Sequence, residues 1–183
     1  LELACKKSEG RVELTEFQQG PSLWQKVNVP KLSYREGQWR DLDETEVLPH
    51  RPDAFFTLSF LKDGERQLSH FFYEADRHRT NTTKYNKKLR AHFHFIVKQK
   101  RHQEIYAINR IRAVLTETVD DEWAERLRSA ANDTSVSGSK PSPLFWFTTS
   151  RLFEEHSSQD KNSKPRYLVM PAIIFSSIWA TPV

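Results

Sequence analysis

Residues 51–77 read RPDAFFTLSFLKDGERQLSHFFYEADR, and this stretch decides the fold. Asp63-Gly64 stands between two alternating apolar runs, which is the strongest short-range signal of a β-hairpin. A two-residue turn at this point pairs Asp53 with Glu74 across the hairpin. Asp76 projects to the same side as Glu74, because successive side chains of a strand alternate between its two faces. The hairpin therefore brings three carboxylates to one face of the sheet.

Asp53, Glu74 and Asp76 together form a candidate site. Like charges this close repel one another, so a fold normally brings them together only around a cation, a proton or a basic partner. The flanking residues are aromatic, which places the acids beside a buried apolar hairpin. Two other interpretations stay open: each acid alone is typical of a solvated strand end, and Arg51 faces Asp76 in the same register, where it can neutralise that carboxylate.

Length and composition predict one domain over residues 1–183. The sequence has no run of about 18 apolar residues that would span a membrane, and no signal peptide at its start. The single cysteine, Cys5, excludes an internal disulfide and a thiolate metal cage, which fits a reducing, cytoplasmic setting. The chain starts without Met in the helix-like stretch LELACKKSE, and we expect it to be a piece of a longer protein.

A basic block at residues 77–102 follows directly on the carboxylates. It is rich in Lys, Arg and His and contains no Asp or Glu, whereas residues 41–46 and 117–125 are acidic. Positive charge concentrated in this way attracts phosphate backbones, although a solvated helix face with a basic C-terminal end has a similar composition. The position beside the acids favours DNA binding, with candidate contacts at Arg77, Arg79, Lys84, Lys87, Lys88 and Arg90.

Hydrophobic periodicity and turn signals predict an α/β fold with a mixed sheet flanked by helices. We expect residues 18–50 to be largely irregular, with a hairpin or lid in part of the segment. The other predicted elements are a helix up to residue 9, strands at 12–17, 53–60 and 67–76, a helix from Asn81-Thr82-Thr83 to about Lys100, a strand at 111–118, a helix from Asp120-Asp121, a loop at 132–143, and strands at 144–149 and 167–175.

Several other kinds of site lack their sequence pattern. The chain has no glycine-rich phosphate loop and no nucleophile elbow, and His92 and His94 fall on different faces of their predicted helix, without a Cys or an acid to complete a zinc site. Most tryptophans are predicted to be core or interface residues. Trp39, beside Arg40 in the irregular segment, remains open as a contact residue.

Three motifs, in this order, resemble the C-terminal domain of the replication-relaxation family of bacterial and plasmid proteins. They are a Pro-Asp strand start at Pro52-Asp53, an E-x-D-R element at residues 74–77, and a K-L-x-A-aromatic helix at residues 88–92. His92 stands where the family usually has Tyr, and His78-Arg79 replace a usual Gly-Thr. The resemblance covers nearly the whole chain and implies a winged-helix region upstream of it.

That domain in turn resembles the PD-(D/E)XK nuclease fold, in which an Asp, a Glu and a Lys share one end of a mixed sheet. The resemblance implies that Asp53 and Glu74 hold Mg²⁺, which prefers carboxylate oxygens, while a lysine positions or activates the attacking water. Asp76 stands where the nuclease motif has its Lys. The ammonium group is supplied by the following helix, either from Lys88, the preferred candidate because it lies in the matched K-L-x-A segment, or from Lys84. Otherwise Asp76 itself binds the metal, or the motif is scaffold.

The resemblance implies a nuclease-like domain of a plasmid or mobile-element replication or mobilisation protein. Such a domain would cleave DNA with a bound metal and contact other replication or mobilisation proteins. The alternative is a catalytically inactive DNA-binding or protein-interaction module on the same fold, because one fold hosts many functions.

Overall fold

The computed structural model describes residues 1–77, 81–138 and 140–149 as a mixed α/β fold, without the side chains of residues 3, 4 and 7. The strands in these residues are β1 (Val12–Gln19), β2 (Gln25–Arg35), β3 (Gln38–His50), β4 (Ala54–Lys62), β5 (Glu65–Asp76), β6 (Ile111–Thr118) and β7 (Phe145–Thr149). The helices are α1 (Glu2–Lys7), α2 (Thr82–Phe93), α3 (Arg101–Tyr106), α4 (Asp121–Ala131) and α5 (Thr134–Ser137).

The main sheet has five strands in the order β1-β4-β5-β6-β7. β1, β4 and β5 pair antiparallel, while β6 and β7 each run parallel to the preceding strand in that order. Parallel neighbours need a crossover connection, and here α2 and α3 connect β5 to β6 while α4 and α5 connect β6 to β7. The predicted mixed sheet with flanking helices is confirmed.

The β4–β5 hairpin has the predicted two-residue turn. Asp63 and Gly64 both have positive φ, at 52° and 82°, as a type I′ turn requires. The register pairs Ala54 with Tyr73 at one end and Lys62 with Glu65 at the other. Extending that register by one residue places Asp53 opposite Glu74, as the sequence predicts.

Apolar residues cover both faces of the sheet. On one face, Phe55 and Phe72 pack with Tyr85 and Leu89 of α2 and with Leu127 of α4. On the other face a smaller cluster joins Cys5 of α1 to the hairpin and to β6. The candidate site lies on the α2 face, where the larger core fixes the hairpin against the helix.

The prediction of an irregular segment at residues 18–50 is wrong for most of its length. β2 and β3 form a separate antiparallel ribbon, and only its base is buried, by Val27, Val29 and Leu48. The outer half of the ribbon is largely exposed, and along its β3 strand the apolar residues do not alternate with polar ones, so that strand lacks the pattern by which a strand is recognised. The expectation of a hairpin within the segment is correct.

Helix α2 begins where the sequence predicts. The Asn81 side chain accepts a hydrogen bond from the backbone N–H of Lys84, which caps the first turn. The helix continues as a π-helical turn over His94–Lys98 and ends there, and α3 then forms a separate helix. The predicted helix to about Lys100 is therefore correct to within two residues, and α3, which lies beyond it, is not predicted.

The second half follows the predicted order. β6 has the predicted bounds, and α4 begins after Asp120, whose side chain accepts a hydrogen bond from the N–H of Trp123. The predicted loop at 132–143 contains the short helix α5. The predicted strand at 167–175 lies outside the described residues. No helix in the described part of the chain is long and apolar enough to cross a membrane.

Candidate functional site

Asp53 is held at the entrance to β4 by two hydrogen bonds to β5. Its backbone N–H donates to the carbonyl of Tyr73 at 3.0 Å, and its Oδ2 accepts from the N–H of Ala75 at 2.8 Å. These bonds lie on either side of Glu74 and hold the exposed Asp53 side chain beside it. The predicted pairing of the two acids is therefore present.

Glu74 is almost completely buried, with 2% of its surface exposed, and it has two basic partners from α2. Its Oε2 forms an ion pair with Nζ of Lys88, and its Oε1 lies 2.7 Å from Nε2 of His92. Lys88 and His92 are one helical turn apart, so both side chains lie on the same face of the helix. One turn of α2 thus contacts both oxygens of the carboxylate.

The protonation states of this cluster follow from its burial. Burial raises the pKa of Glu74 to about 8, although Lys88 opposes the shift and the neighbouring Asp53 adds to it. Burial, with the adjacent Lys88 charge, lowers the pKa of His92 to about 3. His92 is therefore neutral at physiological pH, and it donates Nε2–H to Glu74 when that carboxyl group is ionised.

Lys88 remains charged in this environment. Burial disfavours the ammonium group, but the nearby carboxylates of Glu74, Asp53 and Asp76 outweigh burial and raise the pKa of Lys88. The Lys88 side chain is 33% exposed. It therefore contacts the buried Glu74 carboxylate and is also accessible from the protein surface.

The partner of Asp76 is not Arg51, which the hairpin register suggests, but Trp123. Its Oδ2 accepts a hydrogen bond of 3.0 Å from the indole Nε1–H of Trp123 on α4, and the residue is buried. The Arg51 guanidinium instead lies over the ring of Trp24, with its central carbon 5.0 Å from the ring centroid. Among the described residues no salt bridge joins Arg51 to Asp76.

Asp53 and Glu74 are the carboxylates that fit a divalent cation. Two adjacent carboxylates, one of them buried and with its pKa raised, suit Mg²⁺, which is commonly held by one or two carboxylates and keeps several waters. Within the described residues no group of three His, Cys, Asp or Glu side chains is placed to hold a metal ion. Asp76 hydrogen-bonds Trp123, and its role as a third ligand stays a prediction.

The candidate DNA contacts divide into two groups. Arg77, Lys84 and Lys87 are exposed near the start of α2. Arg90 is not a surface residue: it is 4% exposed, donates to Oε1 of Glu46 at 3.0 Å and bonds the carbonyl of Pro30. Arg90 therefore anchors the ribbon to α2, which corrects its assignment as a DNA contact. Arg79 lies outside the described residues.

His50, at the end of β3, is a buried neighbour of the site that the sequence did not reveal. It stacks on Phe95 at 4.0 Å and meets His92 edge-on at 4.5 Å. Burial lowers the pKa of His50 well below its usual value, and electrostatic repulsion from Arg101 and Lys88, and from His92 when it is protonated, adds to this shift. The position of His50 follows from the packing of the ribbon on α2. The sequence of residues 18–50 does not predict that packing.

Comparison with protein-family models, with curated proteins and with solved structures found no match to this chain.

Proposed function

We propose that this chain is a nuclease-like, metal-dependent DNA-processing domain. The observation that carries the proposal is the meeting of Asp53, Glu74 and Lys88, from a strand entrance, a strand and a helix, at one end of the hairpin. Two carboxylates that can hold a metal ion, with a lysine beside them, suit metal-dependent phosphodiester cleavage and are the set that the PD-(D/E)XK resemblance implies. The proposal includes the PD-(D/E)XK fold and membership of the replication-relaxation family, on the motifs quoted above.

Lys88 supports this proposal because it supplies the amino group that the nuclease motif normally has on the strand. Asp76 occupies the position of the motif lysine on β5, but Lys88 reaches the same carboxylate from α2. Its raised pKa keeps it protonated, so it donates hydrogen bonds to the scissile phosphate or to the attacking water and does not take a proton from that water.

Asp53 and Glu74 would hold the metal ion in this proposal. A bound Mg²⁺ supplies a Lewis acid for the charge that develops on the phosphate. His92 holds Glu74 in position through its Nε2–H, as outer partners of ligand carboxylates commonly do. The two hydrogen bonds between Asp53 and β5 hold the Asp53 carboxylate in position in the same way.

The N-terminal half of α2 would contact the DNA backbone. Lys84 and Lys87 are exposed there, Arg77 lies just before the helix, and Lys88 connects this surface to Glu74. The N-terminus of a helix also attracts phosphate through its free N–H groups and its dipole. A strand held on this surface has its phosphates next to the two carboxylates.

A cleavage assay tests the proposal. The wild type is expected to cut single-stranded, duplex or branched DNA with Mg²⁺ or Mn²⁺, and D53N and E74Q are expected to abolish cleavage. K88M is expected to slow cleavage by about 10²–10³-fold, the range typical of losing one preorganised hydrogen-bond donor to a developing charge. K62M is the matched control, since Lys62 is an exposed lysine at the turn end of the same hairpin, away from the carboxylates. No cleavage of any substrate with either metal would contradict the enzymatic proposal.

A non-catalytic DNA-binding module is the second candidate. It is favoured by the fact that Glu74 is already neutralised by Lys88 and Asp76 is already bonded to Trp123. In that case DNA binding is salt-dependent and is weakened by K84M and K87M, because each removes a phosphate contact. Binding that is unaffected by D53N and E74Q, together with absent cleavage, would identify this candidate.

A further inference from the structure

Trp24 and Arg51 form an exposed pair beside Asp53 that the proposed chemistry does not use. Trp24 is 46% exposed, and the Arg51 guanidinium carbon lies 5.0 Å from the centre of its ring. A large aromatic side chain with nearly half its surface in water contributes little to the core. The pair is therefore a candidate binding surface.

The chain path places this pair at the end of the sheet that carries Asp53. β1 ends at Gln19, which is paired with Ala54, the residue after Asp53. A 3₁₀ turn over Pro21–Leu23 then leads to Trp24, and β2 begins opposite His50, the residue before Arg51. Both residues thus lie on the segments that enter and leave the base of the ribbon.

The backbone on both sides of the pair is fixed. Leu23, immediately before Trp24, is completely buried in the core shared with α2. Arg51 lies between His50, which is 1% exposed, and Asp53, whose N–H bonds Tyr73. Both side chains consequently project from ordered positions, and less conformational entropy is lost when a ligand binds to them.

The charge on Arg51 is available to a ligand. Among the described residues it forms no ion pair with a carboxylate, and its guanidinium carbon lies over the ring of Trp24. An indole face and a guanidinium group together recognise a nucleobase by stacking and a phosphate by charge. In duplex DNA the base faces are already stacked on one another, so this pair suits an unpaired base.

We propose that Trp24 and Arg51 bind an unpaired base and its phosphate on the DNA strand that enters the Asp53–Glu74 site. This inference rests on the proposed function and adds its substrate class: DNA with a single-stranded segment beside the phosphate that is cut. Strand contact then extends from the basic start of α2, past the carboxylates, to the base of the ribbon.

The experiment measures binding of the full chain to a labelled single-stranded oligonucleotide and to the matching duplex, by fluorescence anisotropy with EDTA present to prevent cleavage. W24L and R51Q are each expected to weaken single-strand binding by about 5- to 100-fold, the range measured for loss of one base-stacking residue. Their duplex affinity is expected to remain within about twofold of wild type, as for a surface substitution away from the interface.

The chain offers matched controls for both substitutions. Arg112 lies over Trp146 at 5.4 Å, a second arginine–tryptophan pair, beside the apolar cleft on the opposite face of the sheet from α2. R112Q therefore controls for R51Q. Trp146, the partner of Arg112, provides W146L as the control for W24L. Neither control is expected to change either affinity by more than about twofold.

A second measurement follows Trp24 directly. Single-stranded DNA is expected to quench the tryptophan fluorescence of the wild type, and W24F, which keeps an aromatic ring, is expected to remove most of that quenching. Single-strand binding equal to wild type in both W24L and R51Q would overturn the inference while leaving the proposed function standing. An equal loss for single strand and duplex would also overturn it. A wild type that binds neither DNA would remove the proposed DNA contact as well.

Discussion

Glu74 and Asp76 lie two residues apart on the same face of β5, and both are buried, yet the fold treats them differently. Glu74 meets two basic side chains of α2, one of which connects it to the surface. Asp76 meets the indole N–H of Trp123, a neutral donor that stays in the core. The difference teaches that two acids of one sequence motif can have different roles. Glu74 belongs to the candidate site, whereas Asp76 fixes the packing of α4 on the sheet.

The largest expected effect distinguishes the two acids by function. E74Q is expected to reduce metal affinity and cleavage by more than ~100-fold. Loss of a residue that only supports a metal ligand typically costs up to that much, and E74Q removes a ligand itself. D76N retains an oxygen that can accept from Trp123, and we expect its affinity and activity to stay within about tenfold of wild type. Calorimetry with Mg²⁺ and a cleavage assay measure both effects.

Equal losses in E74Q and D76N would show that the two acids act as one cluster, and would contradict the division between them. Circular dichroism of both variants checks that each has folded.

His92 tests how Glu74 is held. H92L removes the Nε2–H donor and leaves a buried carboxylate oxygen without its hydrogen bond, so metal affinity is expected to fall by ~10–100-fold. H92Q carries an N–H donor at a similar reach, and we expect it to recover most of the affinity. Titration of metal into both variants provides the measurement. If H92Q were no better than H92L, the donor role would be excluded and packing would explain the loss.

Trp123 tests the structural role of Asp76. In a double-mutant cycle, D76A and W123F are expected to show a coupling energy of about 1.5–3 kcal/mol, as for a hydrogen bond to a charged group. The free energies of unfolding from urea titrations of the wild type, both single variants and the double variant give this energy. A coupling below about 0.5 kcal/mol would mean that the hydrogen bond adds little to stability.

His50 gives the smallest expected effect, a pH dependence of the free energy of unfolding. Because burial lowers its pKa in the folded state, its contribution to stability is fully present above the unfolded pKa of about 6.5. It declines as the pH falls toward the folded pKa, because the unfolded chain then binds a proton that the folded chain does not. The maximum slope for one such group is ~1.4 kcal/mol per pH unit.

H50F keeps a ring of similar size on Phe95 and removes two buried nitrogens that lack hydrogen-bond partners among the described residues. We expect it to be as stable as the wild type or up to ~1 kcal/mol more stable at pH 7, and to lose less stability between pH 7 and pH 5. Urea unfolding at the two pH values checks both. Parallel pH profiles for the two proteins would contradict a neutral, buried His50.

The sequence predicts the hairpin and the Asp53–Glu74 pair because both follow from local rules. An Asp-Gly turn sets the register, and the alternation of side chains then fixes which acids share a face. The start of α4 is equally local, since the Asp120 cap acts within one turn. The ribbon is not predicted because its outer half is largely exposed and buries little apolar surface.

The partners of the two acids could be predicted only in part. The choice of Lys88 over Lys84 rested on family resemblance, although Lys88, His92 and Glu74 meet because Leu89 packs α2 against the sheet. Trp123 is far from Asp76 in sequence, and only the packing of α4 on the sheet brings its indole to that carboxylate. Such contacts depend on tertiary packing, which no local pattern encodes.

The central claim is that Asp53 and Glu74 hold a divalent cation while Lys88 assists them. Isothermal titration of Mg²⁺ or Mn²⁺ into the wild type and into D53N tests it most directly. The account predicts binding to one site in the wild type and its loss in D53N, whose fold is retained. Absence of metal binding in the wild type, or unchanged binding in D53N, would contradict it.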